Sequence, residues 1–509
     1  MNTKKIRVRF APSPTGPLHI GGVRTALYNY LFALKHKGDF ILRIEDTDQG
    51  RFVEGAEQYI IDSLNWCGIN FNEGVSVGGP YAPYRQSERK HIYGQYAQLL
   101  IDKGYAYYAF DTAEELEKLR NEYQARKQTF QYDYNTRKDL NNSLNLPSEE
   151  VKQKLHRGDK YVIRLKIPEN REIKFTDLIR GEVSFHSSQL DDKVLYKSDA
   201  MPTYHLANVV DDYLMKISHV IRGEEWLPST PLHILLYEYL GFAADRPEFA
   251  HLPLLLKPDG AGKLSKRDGD RLGFPVFPLQ WTDPKTGEIS RGFKEDGYLP
   301  EAFINFIALL GWNPGSEQEI FNMQQLAELF SLDRIHKAGA KFDQEKAKWF
   351  NHQYLLAKTD NELADLLKND LTKNNIKTTD QFNLSLCKLF KERLYFISDI
   401  YKQNSYIFSI PTEYDLKTLK NKLKDINLNI YKDFISEIEK CETLNEDILH
   451  KLIDSFIEAK QIQKGQFMSI LRILIVGKAA GPDLILLILL LGKEEICKRI
   501  SSALIKIVL

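Results

Sequence analysis

Near the start of the chain Ile6, Val8 and Phe10 alternate with Arg7 and Arg9, the period-two pattern of a strand with one buried face. From Val23 to Lys35 the apolar positions recur at helical spacing, and a Pro/Gly-rich loop, Ala11 to Gly22, joins the two segments. Gly38 closes the helix, and Phe40 to Ile44 read as a second strand that delivers Glu45-Asp46-Thr47-Asp48 at its C-terminal end. Residues 53–66 and 86–102 have helical periodicity and stop at Gly68 and Gly104. Strands alternating with helices predict βαβ units and a parallel sheet.

The texture then changes. Asp111 to Arg157 is charged, Gln/Asn-rich and helical in period, followed by β-rich Tyr161 to Ile167 and Ile173 to Phe185, which reads as an inserted α+β domain. The first sheet is expected to resume near Val194-Leu195-Tyr196 and to continue through His219-Val220-Ile221, ending in Arg222. Beyond Gln324 strand alternation is absent and the pattern is helical throughout, which predicts an all-α C-terminal region.

Candidate chemistry sits on this scaffold. A strand, a glycine-bearing loop and a helix start form a favourable anion site, because free N–H groups and the helix dipole face one point. Gly21 and Gly22 permit close approach and His19 can donate to phosphate oxygens, although Gly-Gly at a helix start also fits a plain turn. Ser13 and Glu45 both follow strands, so both are expected to face the crevice beyond the carboxyl ends of the sheet. Tyr204 and Asn208 are four apart on a helix and share a face. Lys263-Leu264-Ser265-Lys266-Arg267 follows a Pro258-Asp259-Gly260 turn and reads as a basic loop, which in isolation is more often a solvated surface run.

Composition narrows the options. A chain of 509 residues needs several cores. Lys plus Arg and Asp plus Glu are equal at 69 each, which excludes a uniformly basic surface and confines any nucleic-acid contact to local patches. Cys67, Cys387, Cys441 and Cys497 are scattered without ligand spacing, arguing against a zinc site or a disulfide framework. No secretory leader is read at the start, and Leu484 to Leu491 is too short to span a bilayer and reads as a buried helix.

Together, His19-Ile20-Gly21-Gly22 and Lys263 to Arg267 resemble the signature pair of class I aminoacyl-tRNA synthetases. Ala11 to Gly16, Arg43 to Asp48, Tyr204 to Asp212 and Ile221 to Trp226 resemble, in the same order, motifs of the bacterial glutamyl-tRNA synthetases, so the resemblance covers nearly the whole chain. It implies a Rossmann-type catalytic domain (1–110 and 194–255) and an inserted acceptor-stem-binding domain (111–193). A lysine-loop and stem-contact region (256–330) and a helical anticodon-binding domain (331–509) complete the expected order. The implied roles are catalysis by His19, Lys263 and Lys266, and glutamate binding by Arg9, Ser13, Glu45, Tyr204, Asn208 and Arg222. ATP is assigned to His19, Gly21, Gly22, Glu225, Leu256 and Lys266.

The resemblance further implies ATP with Mg2+, L-glutamate and tRNA(Glu) as partners of a cytoplasmic monomer with no membrane segment and no metal-ligating residues. Some members carry zinc in the insertion; here Tyr105 to Phe110 occupies the stretch where its cysteines begin, so no structural zinc is expected. One departure stands out: the family usually passes more directly from the lysine loop to Gly297-Tyr298-Leu299-Pro300-Glu301, whereas Asp270 to Asp296 intervenes here. A glutaminyl-tRNA synthetase shares the motifs but has a β-barrel anticodon part. A truncated tRNA-modifying paralogue lacks that part, and a non-catalytic tRNA-binding protein has no need of His19, Lys266, Arg9 and Glu45.

Overall fold

The computed structural model describes residues 5–423 and 427–507, so the outer ends of the first and last expected domains lie outside the described residues. The chain divides into two compact units, 1–347 and 348–509.

The first unit opens with β1 (Arg7–Phe10), α1 (Ile20–Lys35), β2 (Asp39–Leu42), α2 (Ala56–Trp66) and β3 (Glu73–Gly74). The three strands form a parallel sheet in the order β1-β2-β3, with Arg7 opposite Asp39 and Phe10 opposite Leu42. The alternation in β1 predicted one solvated face, but all four residues are buried. Each arginine is buried because a carboxylate meets it: Arg7 Nη1 contacts Glu73 at 2.7 Å and Asp39 at 2.5 Å, and Arg9 pairs with Asp212. Helix α1 starts at Ile20, earlier than the apolar period indicated, because His19 caps it.

Next come α3 (Lys90–Asp102), β4 (Ala106–Ala109), α4 (Ala113–Ala125), α5 (Ser148–Arg157), β5 (Val162–Leu165), β6 (Glu172–Asp177), β7 (Gly181–His186) and β8 (Val194–Tyr196). The chain continues with α6 (Tyr204–Leu214), β9 (His219–Gly223), α7 (Thr230–Leu240) and β10 (Glu248–Leu252). Strands β4, β5 and β8 make a separate antiparallel sheet, so Val194–Tyr196 does not resume the first sheet as the pattern suggested. A three-residue apolar run carries no record of which sheet it joins.

The hairpin β6–β7, grouped by its β-rich texture with the insertion, is hydrogen-bonded into a four-stranded sheet of order β7-β6-β10-β9, in which β10 runs parallel to both β6 and β9. Strand β9 lies beside β1: Ser218 N–H donates to the Arg7 carbonyl at 2.8 Å, and Asn29 of α1 donates to the Ile221 carbonyl at 3.0 Å. The parallel sheet β1-β2-β3 and this mixed sheet therefore meet along β1 and β9, and the carboxyl ends of β1, β2 and β9 open on one crevice.

After β10, Leu255–Leu256 pairs in parallel with Ala340–Lys341. Ser265 caps a helix, α8 (Lys266–Leu272), through a reciprocal capping box with Asp268, so the basic run is a loop as far as Ser265 and enters a helix at Lys266 and Arg267. The intervening segment forms a small hairpin, Trp281–Thr282 with Ile289–Ser290, and the helix Pro300–Ala308 follows.

The second unit is helical among its described residues. Leu363, Leu367 and Leu371 repeat every fourth residue on the buried face of Asp360–Lys373, which Thr359 and Glu362 cap reciprocally. Further on, Tyr431, Phe434, Phe456 and Phe467 form an aromatic cluster across three helices. The division at 347/348 falls later than the 331 read from the sequence. Among the described residues no helix is long and apolar enough to cross a membrane.

Candidate active site

A continuous polar array lines the crevice. At its centre Asp212 of α6, 1% exposed, takes Arg9 through two bonds, Nε to Oδ1 at 3.1 Å and Nη2 to Oδ2 at 3.2 Å. Arg43, at the end of β2 and fully enclosed, donates to Asp212 Oδ1 at 2.8 Å and to Glu45 Oε1 at 2.9 Å. The two guanidiniums hold the Asp212 carboxyl below its ordinary range against the opposing effect of burial. Asn208 donates to the same Glu45 Oε1 at 2.9 Å. Glu45 Oε2 faces no donor among the described residues. The Glu45 N–H donates to the Pro12 carbonyl at 3.0 Å, which ties it to the first loop, where Ser13 is exposed.

One turn before Asn208 on α6, Tyr204 accepts from Arg222 Nη1 at 2.8 Å. Arg222 is 5% exposed, and its other donors go to the Trp226 carbonyl (3.2 Å), Thr230 Oγ1 (2.9 Å) and His251 Nε2 (3.1 Å). All four acceptors are neutral. Among the described residues no carboxylate lies within ion-pair distance of it. Burial pushes the Tyr204 phenol up to about 12, with Arg222 and Arg9 opposing and Glu45 and Asp212 assisting, so the two arginines, Glu45 and Asp212 all act on one hydroxyl.

The other end of the crevice holds the histidine-glycine turn. Gly21 N–H donates to His19 Nδ1 at 3.1 Å, which leaves the proton of the neutral ring on Nε2. Burial, assisted by Lys266 and Lys263, lowers His19 to about 4, so the ring is neutral near pH 7. His19 Nε2 is buried and has no protein partner among the described residues. The expectation of free backbone donors at this helix start needs correction. Ile20 N–H donates to the Val276 carbonyl at 2.9 Å, and Gly22 and Val23 donate to the His19 carbonyl at 2.8 and 3.1 Å. The residues between Asp270 and Asp296 thus reach back to cap α1, and the donor that remains is the imidazole.

Lys266 Nζ stands over the first loop, where a Cβ on Gly16 would lie 2.9 Å from it, and 5.7 Å from the Phe277 ring. Lys263, exposed, pairs with Glu225 at 2.9 Å. Leu256 is half-buried and bridges Lys263 across the turn. An added Cβ at Gly21 would meet the chain only at ordinary distance, 3.5 Å from His19 Nδ1. Lys266 and Lys263 thus lie close enough to His19 to act on its ring, while Arg9, Glu45 and Arg222 act on Tyr204.

Sequence reasoning missed the ion-pairing role of Arg43 and the groups behind Arg222, namely the buried Asp177, Thr230 and His251 and the backbone carbonyl of exposed Trp226. Arg43 had a signal, a charge directly after the apolar run Phe40-Ile41-Leu42, where only a paired cation is tolerated.

The catalytic unit matches the family described as tRNA synthetases class I (E and Q), catalytic domain, over residues 5–349, and an anticodon binding domain matches over 349–504. Over 99% of both chains it is 55% identical to a glutamate–tRNA ligase of Phocaeicola vulgatus. It is 53% identical to that of Cytophaga hutchinsonii, covering 99% of this chain and 98% of the relative. A solved glutamate tRNA ligase from Elizabethkingia meningosepticum, in complex with its amino acid, superimposes with a TM-score of 0.95 at 51% identity, covering 98% of this chain and 99% of that one. The chain belongs to the glutamate–tRNA ligases, aminoacyl-tRNA ligases of class I.

Proposed function

We propose that the crevice joins L-glutamate to ATP and then passes the glutamyl group to the 3′-terminal adenosine of tRNA(Glu). Arg222 carries the amino-acid part of this reading. A buried guanidinium satisfied only by neutral acceptors is complete when a carboxylate arrives. Arg9, already shared with Asp212, supplies a second cation from the facing strand. Glutamine would leave this charge uncompensated, at a cost of about 2–5 kcal/mol in a desolvated site. Glu45, with Oε1 taken by Arg43 and Asn208, keeps its second carboxylate oxygen for an α-ammonium group, the complementary partner. Ser13, exposed on the loop whose Pro12 carbonyl accepts from the Glu45 N–H, is assigned to the same substrate.

On the nucleotide side His19 Nε2–H, Lys266 and Lys263 offer donors and cations to the triphosphate, and the bare surface at Gly21 leaves room for it, whereas Gly22 packs against Leu18 and Phe10 and serves the close packing of the loop on α1. Glu225 and Leu256 flank the nucleoside end. Magnesium arrives on the nucleotide and belongs to the substrate. The glutamate α-carboxylate attacks the α-phosphorus and pyrophosphate leaves; charge accumulating on phosphate oxygens is met by these positioned groups, with no covalent nucleophile needed. The 2′-hydroxyl of the terminal adenosine then attacks the activated carbonyl, its proton passing to the departing phosphate. All these groups come from one chain, so the reading requires no partner subunit, and a translation enzyme of this kind works in the cytoplasm.

The test is charging of purified tRNA(Glu) with labelled glutamate and, separately, labelled glutamine. Glutamate is expected to be attached and glutamine refused by at least about tenfold. Comparable charging with both would overturn the assignment of Arg222.

A further inference from the structure

Arg222 is held from behind by groups that do not line the crevice. Its Nε donates to His251 Nε2 at 3.1 Å, and His251 Nδ1 lies 2.6 Å from Asp177 Oδ2, with both side chains wholly enclosed. A nitrogen that accepts from an arginine carries no proton, so the imidazole proton is on Nδ1 and is donated to Asp177. Thr230 Oγ1 sits 3.2 Å from the same Nε2 and accepts from Arg222 Nη2, closing a small ring of bonds. Asp177 is itself fixed, because its Oδ1 accepts from the Ile179 and Arg180 N–H groups at 3.0 and 2.9 Å in the turn between β6 and β7. The anchor of the pocket arginine is therefore a hairpin turn distant in sequence.

The contrast with Arg9 is informative. Asp212 touches Arg9 directly and offsets its charge, whereas Asp177 reaches Arg222 only through a neutral ring. An interposed imidazole supplies a strong, directional acceptor without placing an anion against the guanidinium. We propose that His251 and Asp177 are positioning residues for amino-acid recognition: they hold the plane of the Arg222 guanidinium while leaving its charge for the substrate carboxylate. This rests on the reading that Arg222 meets glutamate.

Steady-state KM values for glutamate and for ATP, measured separately in tRNA charging by the full-length protein, test it. His251→Ala is expected to raise the glutamate KM about tenfold or more while the ATP KM stays within about twofold. His251→Gln restores the glutamate KM to within about threefold, since its carboxamide offers an oxygen to Arg222 and an N–H to Asp177. Asp177→Asn preserves the turn through its oxygen but presents an N–H to His251 Nδ1. The imidazole proton is then driven to Nε2 against the Arg222 N–H, and the glutamate KM rises about as much as in His251→Ala. An unchanged glutamate KM in His251→Ala or Asp177→Asn, an equal rise for ATP, or a His251→Gln variant as impaired as His251→Ala would each overturn the proposal. Arg222→Ala separates the two levels: if it too leaves the glutamate KM unchanged, the assignment of Arg222 fails, and if it alone raises it, only the positioning role fails.

Discussion

The Tyr204 end of the crevice, proposed above for the amino acid, and the His19 end, proposed for the nucleotide, are built on opposite terms. Around Tyr204 every charge is enclosed and held by two or more bonds, from Arg9 and Arg43 on Asp212 to Asn208 on Glu45. Around His19 the cations are exposed, and Lys263 is held by a single exposed carboxylate. Recognition of one small molecule demands charges fixed before it arrives, since a loose cation would fold onto glutamine as readily as onto glutamate. On the proposed reading the phosphates are met by cations already in place, Lys266 at the start of a short helix and Lys263 on the bridged turn before it.

The largest expected break in this contrast is Asp212→Ala. It leaves two enclosed guanidiniums without their shared carboxylate and is expected to cost about 3–5 kcal/mol in urea unfolding. A loss below about 1 kcal/mol would mean the network is not what holds this end together. Lys266→Ala is expected to lower the charging rate at least ~100-fold, equivalent to about 2.7 kcal/mol of transition-state stabilisation, with the unfolding midpoint unchanged. If it destabilises the fold as Asp212→Ala does, the two ends are not distinct.

Acidification probes both ends. His19 and His205 are lowered to about 4 by burial, while unfolded imidazoles bind a proton near 6.5. Between those values the unfolded chain holds more protons, so stability is expected to fall as pH drops from 6.5 to 4 and to level off above 6.5. Thermal unfolding that is flat across this window would refute the neutral histidines. At the small end, Ser265→Ala removes the cap of α8 and is expected to weaken that helix by about 1 kcal/mol, seen as a few-fold rise in the ATP KM. Lys263→Ala should change global stability by less than about 1 kcal/mol, because its ion pair is exposed.

The course of the strands and helices was legible because period and glycine punctuation are local. Residues 20–35, 56–66 and 90–102 are helices within a few positions of where the apolar repeat put them. Pairings were not legible. Nothing in Val194-Leu195-Tyr196 tells which sheet will take it, and nothing in Arg7 or Arg9 announces burial, since their partners Glu73 and Asp212 lie far along the chain. For the site, motif residues such as His19, Tyr204, Asn208 and Lys266 could be named in advance. Supporting groups such as His251 could not, because a histidine in an apolar strand gives no hint of the arginine it will meet. Even His19 yielded only part of its role, since the capping of Ile20 by Val276 redirects attention from backbone donors to the imidazole.

One consequence of the β6–β7 hairpin concerns dissection of the molecule. Cutting out residues 111–193 as a block would remove the neighbour of Glu248–Leu252 on one side, turning an interior strand into a bare edge whose backbone donors and acceptors invite pairing with other chains. Such a deletion should yield aggregates rather than a minimal adenylating core. A shortened version that keeps Glu172–His186 has the better chance of staying monodisperse.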